Sequence, residues 1–258
     1  MTTSLVTGAT AGIGAAFARR LAADGHGLVL VARDAERLAD SAARLRERYR
    51  VEVETLPADL ARDAGVAAVE ARLRDTARPV DVLVNNAGFG NRGTYLKVPV
   101  EDEVRMLRVH CEAVLRLTSA AAETMRGGGR GTVINVASVA AFMPRGTYGA
   151  SKAWVVRFTE NAARELRGSG VRMLALCPGF VRTEFHARAG MDASRLPSFA
   201  WLDADRVVAA ALRDLARGRT VSVPSARYKV AVALARHLPT SVFGAASTRA
   251  GRGYDPRG

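Results

Sequence analysis

The sequence predicts an α/β fold, with a single doubly wound parallel sheet flanked by helices. Short runs rich in Val, Ile and Leu alternate with longer amphipathic stretches, as consecutive strands and helices do. Several of the short runs are apolar at nearly every position, which is typical of strands covered by helices on both faces. No internal repeat or long linker divides the chain, so we expect one catalytic domain over 1–225 and an extension over 226–258.

The predicted elements alternate regularly along the chain. The strands are predicted at 4–7, 27–32, 51–56, 80–85, 131–137, 171–177 and 220–223. The helices are predicted at 13–24, 34–49, 61–76, 100–125, 148–166 and 203–216. Because such sheets bind ligands at the carboxyl ends of their strands, polar motifs at strand ends are the candidate functional residues.

Composition narrows the class of protein. The chain has 258 residues, 48% hydrophobic and 24% charged, which excludes a disordered chain, a collagen and a coiled coil. The only cysteines, Cys111 and Cys177, are too few for a disulfide framework or a four-cysteine zinc site, and they fit a cytoplasmic setting. No apolar run approaches the roughly 18 residues of a membrane span, and we expect no secretory leader.

The net charge of +13 comes from arginines spread along the whole chain, since all but three of the 38 basic residues are arginine. Many lie beside acidic residues, as in 44–48, so we interpret the charge as a solvated surface. No zinc-finger spacing or aromatic RNA-binding signature accompanies it, and we expect no nucleic-acid partner.

A glycine-rich loop follows the first predicted strand. Residues 8–14 read Gly-Ala-Thr-Ala-Gly-Ile-Gly, and glycines at a helix start let backbone N–H groups approach a pyrophosphate. The spacing resembles the loop of the short-chain dehydrogenase/reductase family, whose fold is Rossmann-like. The resemblance covers about residues 2–223. It implies that the pyrophosphate is held by Gly8, Thr10, Ala11, Gly12, Ile13 and Gly14.

The end of the second predicted strand bears on the choice of cofactor. Arg33 falls where NADP-preferring members of the family place an arginine, and a guanidinium matches a 2′-phosphate. The alternative is one more surface arginine. We interpret the next residue, Asp34, as the N-cap of the following helix.

Two further segments resemble the cofactor contacts of the family. Asp59 and Leu60 are similar to the pair beside the adenine, although Asp59 could also cap the next helix. The tetrapeptide at 85–88 ends the fourth predicted strand, and consecutive amides there are costly to bury without partners. In the family this segment lines the cofactor, which implies contacts from Asn86, Ala87 and Gly88.

Tyr148 and Lys152 are the candidate catalytic pair. They lie four residues apart on a predicted helix and therefore share one face. A nearby ammonium and an oxidised nicotinamide would lower the tyrosine pKa from its usual value of about 10. Ser138 ends the fifth predicted strand, where the family has its catalytic serine. The resemblance implies that the serine polarises a carbonyl, the tyrosine moves the proton and the lysine binds ribose.

His110 stands where the family has a fourth catalytic residue, an asparagine that holds a water of the proton relay. An imidazole could also hold a water, or relay protons itself near neutral pH. The alternative is a histidine that only packs within its helix.

The segment after the sixth predicted strand resembles the nicotinamide end of the family's site. The resemblance implies cofactor contacts from Pro178, Gly179 and Thr183, whereas we interpret Cys177 as a small core residue. Residues 184–201 correspond to the family's substrate lid, and their aromatic side chains suggest a mainly apolar substrate.

The extension at 226–258 carries six basic residues and one acidic residue. We predict a short helix over 228–238, followed by a mobile stretch rich in Gly and Arg. The helix could lie on an anionic membrane, cover the substrate cleft or pack against a second subunit. The family commonly forms homodimers or homotetramers, so we expect a homo-oligomer.

These patterns predict an NADP(H)-dependent oxidoreductase that interconverts a carbonyl and a secondary alcohol on a small molecule, without a metal. The alternative is a catalytically silent cofactor-binding or scaffold protein with the same fold.

Overall fold

Seven parallel strands form one sheet in the computed structural model, which describes residues 2–93, 96–184 and 198–237. The order of the strands across the sheet is β3-β2-β1-β4-β5-β6-β7. Every predicted strand is confirmed to within two residues at each end. The strands are β1 (Thr3–Thr7), β2 (Gly27–Ala32), β3 (Val53–Pro57), β4 (Val82–Asn85), β5 (Gly131–Val136), β6 (Val171–Leu176) and β7 (Val221–Ser222).

Eight α-helices are described, and they follow the predicted alternation. They are α1 (Gly12–Ala23), α2 (Ala35–Tyr49), α3 (Asp63–Arg74), α4 (Val100–Leu107), α5 (Ala113–Gly127), α6 (Gly146–Glu165), α7 (Ala204–Ala216) and α8 (Ala226–His237). The single helix predicted over 100–125 is interrupted by a π-helical turn, Arg108–Glu112. Side-chain periodicity does not predict such a turn, because it widens the backbone by only one residue.

Helices cover both faces of the sheet, which explains the continuous apolar runs. Neighbouring strand residues point to opposite faces, so Leu5 and Leu83 pack with α3 and α5, whereas Val6 and Val84 pack with α1, α2 and α7. All four side chains are fully buried. The α/β class with a doubly wound parallel sheet is thereby confirmed.

The order of the strands creates a cleft at one place in the sheet. From β1 the chain builds outward to β3, then returns to place β4 on the other side of β1 and builds toward β7. The connections after β1 and β4 therefore diverge at their carboxyl ends, which is where this architecture binds ligands. The loop after β1 is fixed there, because the Gly8 N–H donates to the Val31 carbonyl at 2.8 Å.

A buried network of polar side chains joins the middle of the sheet to two helices. Asn85 on β4 donates from Nδ2 to Oδ1 of Asn135 on β5 at 2.9 Å and to Oγ1 of Thr118 on α5 at 3.1 Å. Asn135 in turn donates from Nδ2 to Oγ1 of Thr159 on α6 at 3.0 Å. Because polar groups in a core are costly when unpaired, this network holds α5 and α6 in one register on the sheet.

The helix predicted in the extension is present as α8, beginning two residues before its predicted start. The expected mobile stretch, 244–258, lies outside the described residues. Within the described part of the chain, no helix is long and apolar enough to cross a bilayer.

Candidate active site

The glycine loop between β1 and α1 is shaped by contacts that only glycine allows. Gly8 has a φ of +65°, and a Cβ on Gly14 would lie 2.2 Å from the Gly8 carbonyl oxygen. Asn86 closes the loop from the side, since its Nδ2 donates to the Thr7 carbonyl at 2.9 Å and to the Gly8 carbonyl at 3.2 Å. In this structure Asn86 therefore shapes the loop that was predicted to hold the cofactor.

The N-terminus of α1 is open to an anion. Ala11 is its N-cap, no side chain caps the helix, and no acidic residue lies in the first turn. The first-turn N–H groups and the helix dipole therefore favour a negatively charged ligand. Gly12 has a φ of +55°, and a Cβ there would lie 2.9 Å from Cγ2 of Thr183. The loop after β6, which carries Thr183, therefore lies against this helix start. The arrangement fits a dinucleotide pyrophosphate.

Arg33 lies beside this loop. It comes two residues after Val31, whose carbonyl holds the glycine loop, and its side chain is exposed. Among the described residues it makes no hydrogen bond or ion pair, so the guanidinium is available to a ligand. Asp34 accepts from the Arg37 N–H at 3.0 Å, which confirms its role as the N-cap of α2.

Asp59 and Leu60 follow β3 at the same edge of the sheet. The Ala58 N–H donates to the Ala32 carbonyl at 2.9 Å, which places this segment beside the end of β2. The Asp59 carboxylate accepts from the Ala61 N–H at 3.0 Å and shapes a turn, but it does not cap α3, whose N-cap is Arg62.

Ser138, Tyr148 and Lys152 meet at the carboxyl end of β5, as predicted. The Ser138 hydroxyl lies close enough to Tyr148 to act on its pKa, and its Oγ accepts from the Ala140 N–H at 3.1 Å. Lys152 is buried, its Nζ donates to the Val136 carbonyl at 3.0 Å, and it lies 5.9 Å from the centroid of the Tyr148 ring. One strand end and one helix thus bring two hydroxyls and an ammonium into the same site.

Desolvation sets the charges in this site. Burial raises the pKa of Tyr148 to about 12, only partly offset by the hydrogen bond from Ser138. Burial also lowers the pKa of Lys152 to about 8. In the chain by itself, desolvation of the phenol thus dominates this pKa. That Lys152 and an oxidised nicotinamide together lower it stays a prediction, because the cofactor is part of it. At neutral pH Tyr148 carries its proton and can donate it.

His110 is fully buried on the π-helical turn, and both of its ring nitrogens are engaged. Nε2 accepts from the Phe89 N–H at 3.3 Å, so Nδ1 carries the proton and donates to Oγ of Ser151 at 2.9 Å. The Ser151 hydroxyl then donates to the Tyr148 carbonyl at 2.8 Å. The imidazole thereby links the loop after β4 to α6, the helix of Tyr148 and Lys152.

The electrostatics of His110 argue against proton relay. Burial, and secondarily the Lys152 charge, holds the pKa of His110 well below its usual range. A Cβ on Gly88 would lie 2.8 Å from the imidazole Nε2 and 3.6 Å from Lys152 Nζ, so little space remains between the three residues. Of the two interpretations of His110, this geometry favours packing and positioning. Sequence reasoning did not identify the partners Phe89 and Ser151, because a buried hydrogen bond leaves no pattern in one sequence.

The loop after β6 lies against the loop that carries Ser138. The Val139 N–H donates to the Pro178 carbonyl at 3.0 Å, and Cys177 is fully buried, as expected for a core residue. Most of the predicted lid at 184–201 lies outside the described residues. Its two ends are held together, since the Leu202 N–H donates to the Phe180 carbonyl at 2.7 Å.

The depressed pKa of Lys152 predicts a pH-dependent stability. Its pKa falls from 10.5 to about 8 on folding, so between these values the unfolded chain binds more protons and stability rises with pH. Lys152→Met should therefore raise the free energy of unfolding near pH 7 by about 1–3 kcal/mol, and this gain should shrink as pH rises from 8 toward 10.5. Urea unfolding across that range measures both effects.

The matched control for this prediction is Lys97→Met, which removes an exposed lysine. The same pH dependence in wild type and both variants would show that burial does not perturb Lys152.

Comparison with known proteins agrees with this geometry. The family model described as short chain dehydrogenase matches residues 2–193. Sulfoacetaldehyde reductase 2 of Chromohalobacter salexigens is 38% identical over 186 residues, 70% of this chain and 73% of that protein. A short-chain dehydrogenase from Sphingobium yanoikuyae, solved in complex with NADPH, is 38% identical with a TM-score of 0.83 over 97% of this chain and 94% of that one. The bulky-bulky ketone specific alcohol dehydrogenase from Comamonas testosteroni is 33% identical, with a TM-score of 0.80 over 92% of each chain. The chain therefore belongs to the short-chain dehydrogenase family of oxidoreductases.

Proposed function

We propose that this protein is an NADP(H)-dependent oxidoreductase that interconverts a mainly apolar ketone and its secondary alcohol in the cytoplasm. The observation that carries the proposal is that Ser138, Tyr148 and the buried Lys152 come together at the carboxyl end of β5, where Lys152 Nζ donates to the Val136 carbonyl and lies 5.9 Å from the centroid of the Tyr148 ring. A catalytically silent protein would have no need to keep three such groups together in a desolvated site.

The residues around the cleft match the parts of a dinucleotide. The open N-terminus of α1 would hold the pyrophosphate, and the segment 59–60 would lie beside the adenine. Arg33 would bind the 2′-phosphate, while Lys152 would bind the nicotinamide ribose and Thr183 the nicotinamide amide. When bound, the reduced cofactor supplies the hydride that reduces the carbonyl carbon. The relative from Sphingobium yanoikuyae, which was solved with NADPH, supports this choice of cofactor.

The chain itself handles the proton and the charge. The Ser138 hydroxyl would donate a hydrogen bond to the carbonyl oxygen, and Tyr148, protonated at neutral pH, would transfer its proton to that oxygen. The Lys152 ammonium would stabilise the resulting phenolate, which regains a proton from solvent. In the oxidation direction the phenolate would accept the proton of the alcohol.

Aromatic side chains near the cleft support a mainly apolar substrate. The rings of Phe180 and Trp201 contact edge to face, with centroids 6.1 Å apart, at the two ends of the predicted lid. The relative from Comamonas testosteroni, specific for bulky-bulky ketones, agrees with this assignment. The sulfoacetaldehyde reductase relative points instead to a small anionic aldehyde, so both classes belong in the assay.

A panel of bulky apolar ketones and sulfonated aldehydes, each with NADPH and with NADH, tests the function. We expect turnover of apolar ketones, and Tyr148→Phe should lower kcat by about 10²–10⁴-fold because it removes the transferred proton. The cofactor Kd should change little, since the ring remains. Near-normal kcat in the variant would place the acid elsewhere, and no turnover with any compound would favour the silent alternative.

Cofactor choice depends on the charge at position 33. Arg33→Asp should weaken NADPH binding by about 10–100-fold, because it replaces a positive guanidinium by a carboxylate, which repels the negative 2′-phosphate. NADH binding should stay within a few-fold, so the preference reverses. Fluorescence titration with both cofactors measures it. Arg44→Asp makes the same charge change on the exposed face of α2 and should leave the preference unchanged. An NADH preference in the wild type would overturn the assignment.

We also propose that the protein is a homo-oligomer. An apolar stripe is exposed along α4 and α5, with members spaced as on one helix face: Val100, Val104, Leu107 and Leu115. On neighbouring α6, Trp154 stacks on Phe158 with centroids 4.9 Å apart and remains partly exposed. A second copy would cover this surface and remove it from water.

Sedimentation of the purified chain tests the oligomer. The wild type should sediment as a dimer or larger, and the double variant Val104→Glu/Leu115→Glu should shift toward the monomer, because it introduces charge into an apolar contact. Val230→Glu is the matched control, since Val230 is equally apolar and exposed but lies on α8. A monomeric wild type would contradict the proposal.

A further inference from the structure

Tyr228, near the start of helix α8, forms hydrogen bonds with two separate segments at the edge of the candidate active site. Its hydroxyl accepts from the Phe180 N–H at 3.2 Å and donates to the Ala200 carbonyl at 2.8 Å. Phe180 lies four residues after the end of β6, and Ala200 lies where the chain returns from the predicted lid. One side chain therefore joins the outgoing and the returning ends of that segment.

The ring of Tyr228 explains why position 179 is a glycine. A Cβ on Gly179 would lie 2.1–2.5 Å from three carbon atoms of the ring, closer than any side chain could be placed. The φ of Gly179 is not positive, so conformation does not require glycine here. The close approach of Tyr228 requires it instead, which gives this residue of the predicted cofactor turn a partner in the extension.

Helix α8 also contacts the catalytic loop. It packs against the 3₁₀ turn Val139–Phe142, which begins directly after Ser138. The Tyr228 ring packs on the buried cluster that includes Ala137 and Cys177, the residues that follow β5 and β6. Arg227 adds a bond from its guanidinium to the Trp201 carbonyl at 3.1 Å. The boundary predicted at residue 225 thus separates α8 from residues with which it packs.

We propose that Tyr228 is a positioning residue of the active site, which holds the loop after β6 and the returning segment at Ala200 in the arrangement that binds cofactor and substrate. This inference rests on the proposed function. Tyr228 holds the chain that leads to Thr183, and α8 supports the loop that begins at Ser138. Loss of its hydroxyl should loosen binding at this end of the cleft and leave the proton donor, Tyr148, unchanged.

The full-length variant Tyr228→Phe tests the proposal, since it keeps the ring on Gly179 and removes both hydrogen bonds. The matched control is Tyr49→Phe, the same change at the end of α2. The net contribution of one hydrogen bond changes an equilibrium constant by about 2–10-fold, and this variant removes two. We therefore expect hydrogen exchange at the Phe180 amide to accelerate by about 10-fold, and the NADPH Kd and the ketone KM to rise by about 3–10-fold. The kcat should stay within about twofold of wild type, because a positioning role acts on binding.

A second measurement uses the contact between the ring and Gly179. Gly179→Ala should lower the Tm, because the added methyl group meets the ring of Tyr228. Tyr228→Ala removes that ring, so it should lower the Tm of the Gly179→Ala variant by less than it lowers the Tm of the wild type. Strictly additive losses would show that the two positions do not contact each other.

The outcomes separate this inference from the proposed function. If the wild type reduces ketones but Tyr228→Phe matches wild type and Tyr49→Phe in exchange, Kd and KM, the positioning role is overturned and the function stands. If the wild type reduces no ketone, the proposed function is overturned. Exchange at Phe180 and the Gly179 double variant then decide whether Tyr228 holds the loop, because neither needs turnover.

Discussion

The buried amide pair of Asn85 and Asn135 is the interaction on which the site depends. It lies between β4 and β5, and its further bonds reach Thr118 on α5 and Thr159 on α6. Asn86, the residue after Asn85, shapes the glycine loop. Val136, the residue after Asn135, accepts a hydrogen bond from Lys152, and Ser138 follows two residues later. Amides in a dry core have few alternative partners, so this network admits one register between sheet and helices. The precision of the site at the surface of the cleft follows from hydrogen bonds beneath it.

Burial has one common effect on the three titratable groups of the site. It raises the pKa of Tyr148, and it lowers the pKa of Lys152 and of His110. Each shift favours the uncharged form. Tyr148 therefore carries its proton at neutral pH in the absence of ligands, and the Lys152 Nζ lies 5.9 Å from the centroid of its ring. His110 contributes by geometry, because a neutral imidazole with both nitrogens engaged connects the loop after β4 to α6.

The extension is less separate from the catalytic domain than its composition indicates. A basic segment after the last strand, followed by Gly and Arg, is typical of an appendage. In the structure its first turn carries Tyr228, whose hydroxyl and ring both contact the loop after β6. A terminal helix that packs on functional loops can adjust binding without altering the groups that perform the chemistry.

The sequence by itself determined the fold class and the order of the elements, and it predicted which residues form the candidate site. Those features are local: strands covered on both faces must be apolar throughout, a helix start that binds an anion needs glycines, and a four-residue spacing places Tyr148 and Lys152 on one face. Strand ends also fall within two residues of their predicted positions.

Tertiary structure alone decided the rest. The bonds of His110 to Phe89 and Ser151, and the contact between Tyr228 and Gly179, join residues far apart in the chain. The π turn at His110 is local but has no signature in the apolar periodicity, and the pKa of Tyr148 depends on its burial. Desolvation and close contact depend on which atoms surround a group in space, and a single sequence carries no periodic signal for either. Gly179 shows the difference most clearly: the sequence placed it in a cofactor turn, and only the fold showed that a ring 49 residues further along the chain requires it to be glycine.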